Sequence, residues 1–166
     1  VSIAPRTVME LFKLMMIFEK LKLPNDNTRK CMIEERAQES GAYKGFIYCR
    51  SIKEGKEIIK TIQMIISNQI SKEIPITLKR GCSEYAHIYP EFAKITQGSK
   101  AMKYKEEWQK YEDLVDENFL INEPISDKET NNHPTFTPQE ADTMLYWLRY
   151  AATIGDMSYM KISEDT

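Results

Sequence analysis

The stretch from Gly45 to Arg80 limits the folds open to this chain more than any other part of it. Phe46-Ile47-Tyr48-Cys49 is a short aromatic and β-branched run bounded by Gly45, which predicts a strand over 46–49, read here as buried on both faces. Ser51-Ile52-Lys53-Glu54 has the capping-box pattern, so a helix is expected over 52–70. Ile52, Ile58, Ile59, Ile62, Ile65, Ile66 and Ile70 recur along it at helical spacing. Ser71-Lys72-Glu73 ends that helix. Ile74-Pro75-Ile76-Thr77-Leu78 then predicts a strand over 74–79, with the proline near its start, where a missing ladder N–H is tolerated.

Strand, helix and strand form a βαβ unit, whose strands are parallel and whose crossover is right-handed. Parallel strands end on the same edge of a sheet. The reading therefore brings Arg50 and Ser51, after the first strand, close to Lys79, Arg80 and Gly81, after the second. The N-terminus of the helix adds its positive dipole end to that edge. Crevices beyond the carboxyl ends of parallel strands are common ligand sites in α/β proteins.

The rest of the chain reads as helices around this unit. The fold class expected is α/β, a helix-rich single domain over residues 1–166 with additional helices at 5–22, 27–39, 100–119 and 138–153. Val8, Leu11, Met15, Phe18 and Leu21 mark the first helix, and Phe12, Leu14 and Ile17 widen its apolar face. Asp26 or Asn27 is a possible cap for the second. Thr137-Pro138-Gln139-Glu140 is a further capping box, with proline at the first helical position, and Gly155 is a stop for the last helix. The polar segment 122–136, containing Pro124 and Pro134, reads as a flexible connection before it.

Charge is unevenly spread. Residues 41–105 carry twelve Lys/Arg against five Asp/Glu, whereas residues 106–166 carry four against fourteen, and the whole chain has a net charge of −2. A basic middle points to an anionic partner, and mutual neutralisation between the two parts is the alternative. No apolar run approaches the roughly 18 residues of a membrane span, so no membrane association is expected. Cys31, Cys49 and Cys82 make an odd count without CxxC spacing, which argues for reduced thiols and a cytoplasmic location.

The anion-binding set is Arg50, Ser51, Lys79, Arg80 and Gly81. Tyr85 and Tyr89 are the expected aromatic contacts, because aromatics interleaved with basic residues suit single-stranded nucleic acid. Cys82, which follows Lys79-Arg80, and His87, five residues on, form a weaker nucleophile-and-base pair. His87 and His133 are the only histidines and stand outside any ligand spacing, so no metal is expected, and no cofactor either. The segment GFIYCRSIKEG, from Gly45 to Gly55, resembles the strand-to-helix entry of the second domain of superfamily-2 helicases. The glycine-and-arginine motif such enzymes carry further on is absent, so the likeness stops at that turn and assigns no family.

Three functions follow from these residues. The first is a non-enzymatic binding protein that engages a phosphate-bearing partner, nucleic acid among them, through the basic edge. The second is an enzyme acting on a small anionic substrate with Cys82 and His87. The third is a structural or oligomeric subunit, whose protein partner or second copy docks on the apolar faces of the first and last helices.

Overall fold

The computed structural model describes residues 1–37, 39–81, 89–90, 95, 106–119 and 137–163. In chain order these form β1 (Ser2–Ile3), α1 (Val8–Lys20), β2 (Arg29–Ile33), β3 (Tyr43–Ile47), α2 (Ile52–Gln69), β4 (Ile76–Thr77), α3 (Glu106–Phe119) and α4 (Pro138–Ile154). A 3-10 segment, Ser158–Ser163, follows α4. The strands make one four-stranded sheet in the order β2-β3-β1-β4, and every hydrogen-bonded neighbour is antiparallel. The first six elements are therefore β-α-β-β-α-β with β1 inserted between β3 and β4, the split βαβ or ferredoxin-like connection.

The βαβ unit survives in this modified form. β3 and β4 both run antiparallel to β1, so they are parallel to each other, but β1 separates them. Their ends share an edge about 10 Å apart, two strand spacings. The strand expected at 46–49 begins earlier, at Tyr43, and the one expected at 74–79 shortens to Ile76–Thr77.

The helix expected at 27–39 is not formed; Arg29–Ile33 is strand β2, paired residue for residue with β3 from Arg29↔Ile47 to Ile33↔Tyr43. Asn27 caps no helix there. Its side-chain amide instead donates to the Tyr48 carbonyl at 2.9 Å and to Glu54 at 2.7 Å. A turn at Asp26, with φ of 45°, leads the chain out of α1 and into the strand.

The helices start where their caps dictate. Thr7 accepts from the Glu10 amide and opens α1, Ser51 accepts from the Glu54 amide and opens α2, and Thr137 with Glu140 completes a reciprocal capping box on α4. Gly155 closes α4 in the left-handed conformation with φ of 82°. The guanidinium of Arg29 donates to the Phe18 and Leu21 carbonyls, satisfying the end of α1.

Two apolar clusters meet at α1. In the first, Leu14, Ile17 and Phe18 of α1 pack with Ile3, Ile47 and Ile58, Ile62 and Ile66 of α2. In the second, Val8, Leu11 and Phe12 pack with Ile33, Tyr43, Trp147 and Ala151. Phe12 and Trp147 stack with ring centroids 6.0 Å apart. Asp156, just beyond α4, accepts from the Val8 amide and the Tyr43 hydroxyl, both at 2.6 Å, and so ties the end of the chain's last helix to the first turn of α1. Among the described residues no helix is long and apolar enough to cross a membrane.

Candidate functional site

Alternation along β3 separates its side chains into two sets. Tyr43, Gly45 and Ile47 face the helices: a Cβ on Gly45 would stand 2.4 Å from Leu14 Cδ2, and Tyr43 and Ile47 are each 1% exposed. Lys44 and Phe46 therefore point to the other face, and Tyr48, one residue past β3 with its amide bonded to the Thr28 carbonyl, continues that row. Tyr48 is 53% exposed, Phe46 is half-buried, and their rings lie 6.4 Å apart, tilted by 36°. Lys30 of β2 is directly opposite Phe46 and exposed, and Ser2 flanks Phe46 on its other side. Within β3 the second face is therefore buried at Lys44 and half-buried at Phe46, and it opens to solvent only at Tyr48, one residue beyond the strand.

At the far end of this face Lys44 is already committed. Its ammonium lies 3.2 Å from Glu34 and 3.4 Å from Glu39, and the Lys44 and Glu34 side chains are 6% and 2% exposed. Arg36 adds a charge-assisted bond to Glu34 at 2.6 Å. The Arg36 bond, with Lys44 behind it, holds the Glu34 carboxyl down at about 2, against the opposing effect of burial. The aromatic pair is therefore closed off at the Lys44 end and open toward Arg50.

At the Arg50 end the two strand ends and the first turn of α2 converge. A Cβ on Gly55 would stand 2.6 Å from Leu78 Cδ1 and 3.8 Å from Cys49 Sγ, so the helix N-terminus touches the chain just beyond β3 and just beyond β4. That contact brings the Arg50-Ser51 segment beside the Leu78-Lys79-Arg80 segment. Arg50, Ser51 and Lys79 are exposed, and Arg80 and Gly81 are partly so. The side chains of Lys30, Arg50 and Lys79 make no ion pair with any described residue.

The amide end of α2 is partly occupied by the protein's own groups. Ser51 Oγ takes the Glu54 amide at 3.1 Å, and the Glu54 carboxylate takes the Arg50 amide together with the side-chain amides of Asn25 and Asn27. The Asn25 and Asn27 bonds, with the Arg50 amide behind them, hold the Glu54 carboxyl down at about 2. The charged Glu54 carboxylate therefore already takes the place a ligand anion would take at this helix end, and Arg50 and Lys79 are the exposed cations beside it.

Of the remaining expected residues, Cys82, Tyr85 and His87 lie outside the described residues, as do the 122–136 connection and His133. Tyr89 is described and 41% exposed. A groove of about 390 Å³ runs between α1 and β2, lined by Met15, Phe18, Glu19, Arg29 and Cys31 among others. It offers no activated nucleophile: burial, with the Glu19 charge second, pushes the Cys31 thiol up to about 12. Burial likewise raises Cys49. Among the described residues no cluster of His, Cys, Asp and Glu could hold a metal ion.

No protein-family model matches the chain, and no curated protein or solved structure matches it at a significant level. The functional reading therefore rests on the geometry of this face and edge.

Phe46 and Tyr48 were not among the expected site residues, although their signal is in the sequence. Phe46, Tyr48 and Arg50 share one parity, whereas Ile47 and Cys49 share the other. That alternation separates an aromatic-to-basic row from an apolar one.

Proposed function

We propose that this chain is a non-enzymatic binding protein that holds a phosphate-bearing polymer at the edge where β3 and β4 end. Arg50 and Lys79 supply the charge, with Ser51, Arg80 and Gly81 beside them. The observation that carries the reading is the packing of Gly55 against Leu78 and Cys49, which draws together two basic segments nearly thirty residues apart in sequence. The exposure of Arg50 and Lys79 supports it: neither makes a short-range ion pair with a described carboxylate, and Arg50 meets the Glu54 charge only at longer range. Such cations bind polyanions by releasing condensed counterions, so affinity falls steeply with salt.

The test is a salt titration of binding to a short single-stranded oligonucleotide, with Arg50→Ala plus Lys79→Ala as the variant. Each lost phosphate contact on a single strand should reduce the slope of log K against log salt by about 0.7. An unchanged slope and affinity in the double variant would eliminate the basic edge as the binding site.

A further inference from the structure

We propose that the phosphate-bearing polymer is single-stranded nucleic acid, and that its bases stack on Phe46 and Tyr48 on the sheet face away from α1 and α2. The inference rests on the basic-edge reading and names the ligand class for it. Four observations carry it. Phe46 lies in β3 and Tyr48 one residue beyond it, with its amide still bonded to the Thr28 carbonyl, so the two alternate onto one face with their rings 6.4 Å apart. Tyr48 is more than half exposed and makes no hydrogen bond through its hydroxyl to any described residue. Lys30 stands opposite Phe46, exposed and without a described carboxylate partner. Arg50, exposed and two residues beyond Tyr48, links the rings along the chain to the basic edge.

Each feature alone has an ordinary explanation, since exposed aromatics and lysines are common on surfaces. Their combination selects the ligand. A polyphosphate or an acidic peptide would use the lysines and arginine but gain nothing from two aromatic faces. A double helix keeps its bases stacked on each other, out of reach of a flat surface. Unpaired bases satisfy both halves of the site: their π-faces stack on the rings while the backbone passes the cations. Salt-bridged Lys44 closes the row at one end, so the strand leaves toward Arg50 and Lys79.

Fluorescence anisotropy distinguishes the parts of this proposal. The probes are a short labelled oligonucleotide of mixed sequence, in ribose and deoxyribose forms, and a strand of equal length and charge built from abasic units. Wild-type protein should bind the base-bearing strands about tenfold more tightly than the abasic one. Tyr48→Ala should weaken base-bearing strands by about the same factor and leave the abasic strand unchanged, whereas Tyr48→Trp should retain binding. Exposed Tyr48 carries no buried contact whose loss would unfold the chain, and circular dichroism of the variant checks this.

Equal affinity for base-bearing and abasic strands in the wild type would overturn the stacking proposal. If Arg50→Ala plus Lys79→Ala still reduced the salt slope, the basic-edge reading would stand without it. Conversely, base-dependent binding that Tyr48→Ala abolishes, with a salt slope indifferent to Arg50 and Lys79, would keep the aromatic face and reject the edge. Wild-type protein that binds none of the strands would reject both.

Discussion

At Gly45 the absence of a side chain is a packing requirement. The residue sits in the central strand β3, and a Cβ there would stand 2.4 Å from Leu14 Cδ2 and 3.5 Å from Phe18 Cζ. Leu14 is fully buried in the cluster it shares with Ile3, Ile47 and the isoleucines of α2, so making room means shifting its side chain against packed neighbours. Overpacking of this kind costs about 1–3 kcal/mol. Gly45→Ala should therefore lower the denaturant midpoint by an amount in that range. Leu14→Ala is destabilising by itself through cavity formation, about 2–5 kcal/mol. The double variant should cost less than the sum of the two, because each change makes room for the other. A double-mutant cycle measures this directly, and strict additivity would mean that the two side-chain positions do not meet.

At the scale of elements, Glu34 and Glu39, in the chain that follows β2, are joined to Lys44 of β3 by ion pairs. Glu34 is 5% exposed, Lys44 is 5% exposed, and Arg36 and Glu39 complete the network. Folding lowers the Glu34 carboxyl from an ordinary 4.5 to about 2. Its contribution is therefore complete above about pH 4.5 and is lost as the pH falls toward 2. Thermal melts of wild type should lose stability across that window. Glu34→Gln should be less stable at neutral pH and show a flatter decline below 4.5. Parallel curves for the two proteins would show that Glu34 titrates alike in both states.

How local each signal is decided what was and was not legible in the sequence. Helices α1, α2 and α4 were readable because their signals are local: Ser51 and Thr137 caps, isoleucines at helical spacing, and Gly155 as a stop. β2 was not. Asp26-Asn27-Thr28 resembles a helix start, and Arg29-Lys30-Cys31-Met32-Ile33 lacks a clean polar–apolar alternation. What makes it a strand is the non-local pairing with β3, which propensity does not encode. β1, at two residues, is too short for any periodicity, yet it inserts between β3 and β4 and converts an expected parallel pair into an antiparallel sheet. The basic edge remained recognisable because inserting β1 leaves β3 and β4 pointing the same way. The aromatic pair was missed because burial was assumed along the whole run, whereas on the face away from α1 and α2 Lys44 is buried, Phe46 half-buried and Tyr48 exposed.

At the scale of the whole molecule, α1 divides the apolar interior into a part shared with α2 and a part shared with α4. The aromatic face lies across the sheet from α1. These facts predict separable effects for Trp147, which is 5% exposed and stacked on Phe12. Trp147→Ala should cost about 3–5 kcal/mol of local stability. Hydrogen exchange should then speed up along Pro138–Ile154, where Tyr150 donates to the Glu34 carbonyl and Asp156 holds the first turn of α1. Amides of α2 should stay protected, because Ile58, Ile62 and Ile66 pack in the other cluster. Binding of a single-stranded oligonucleotide to the Tyr48 face should likewise be unchanged while β3 remains paired. Equal loss of protection in α2 and α4 would instead make the two clusters one cooperative unit, and damage at Trp147 would then reach the aromatic face through the sheet itself.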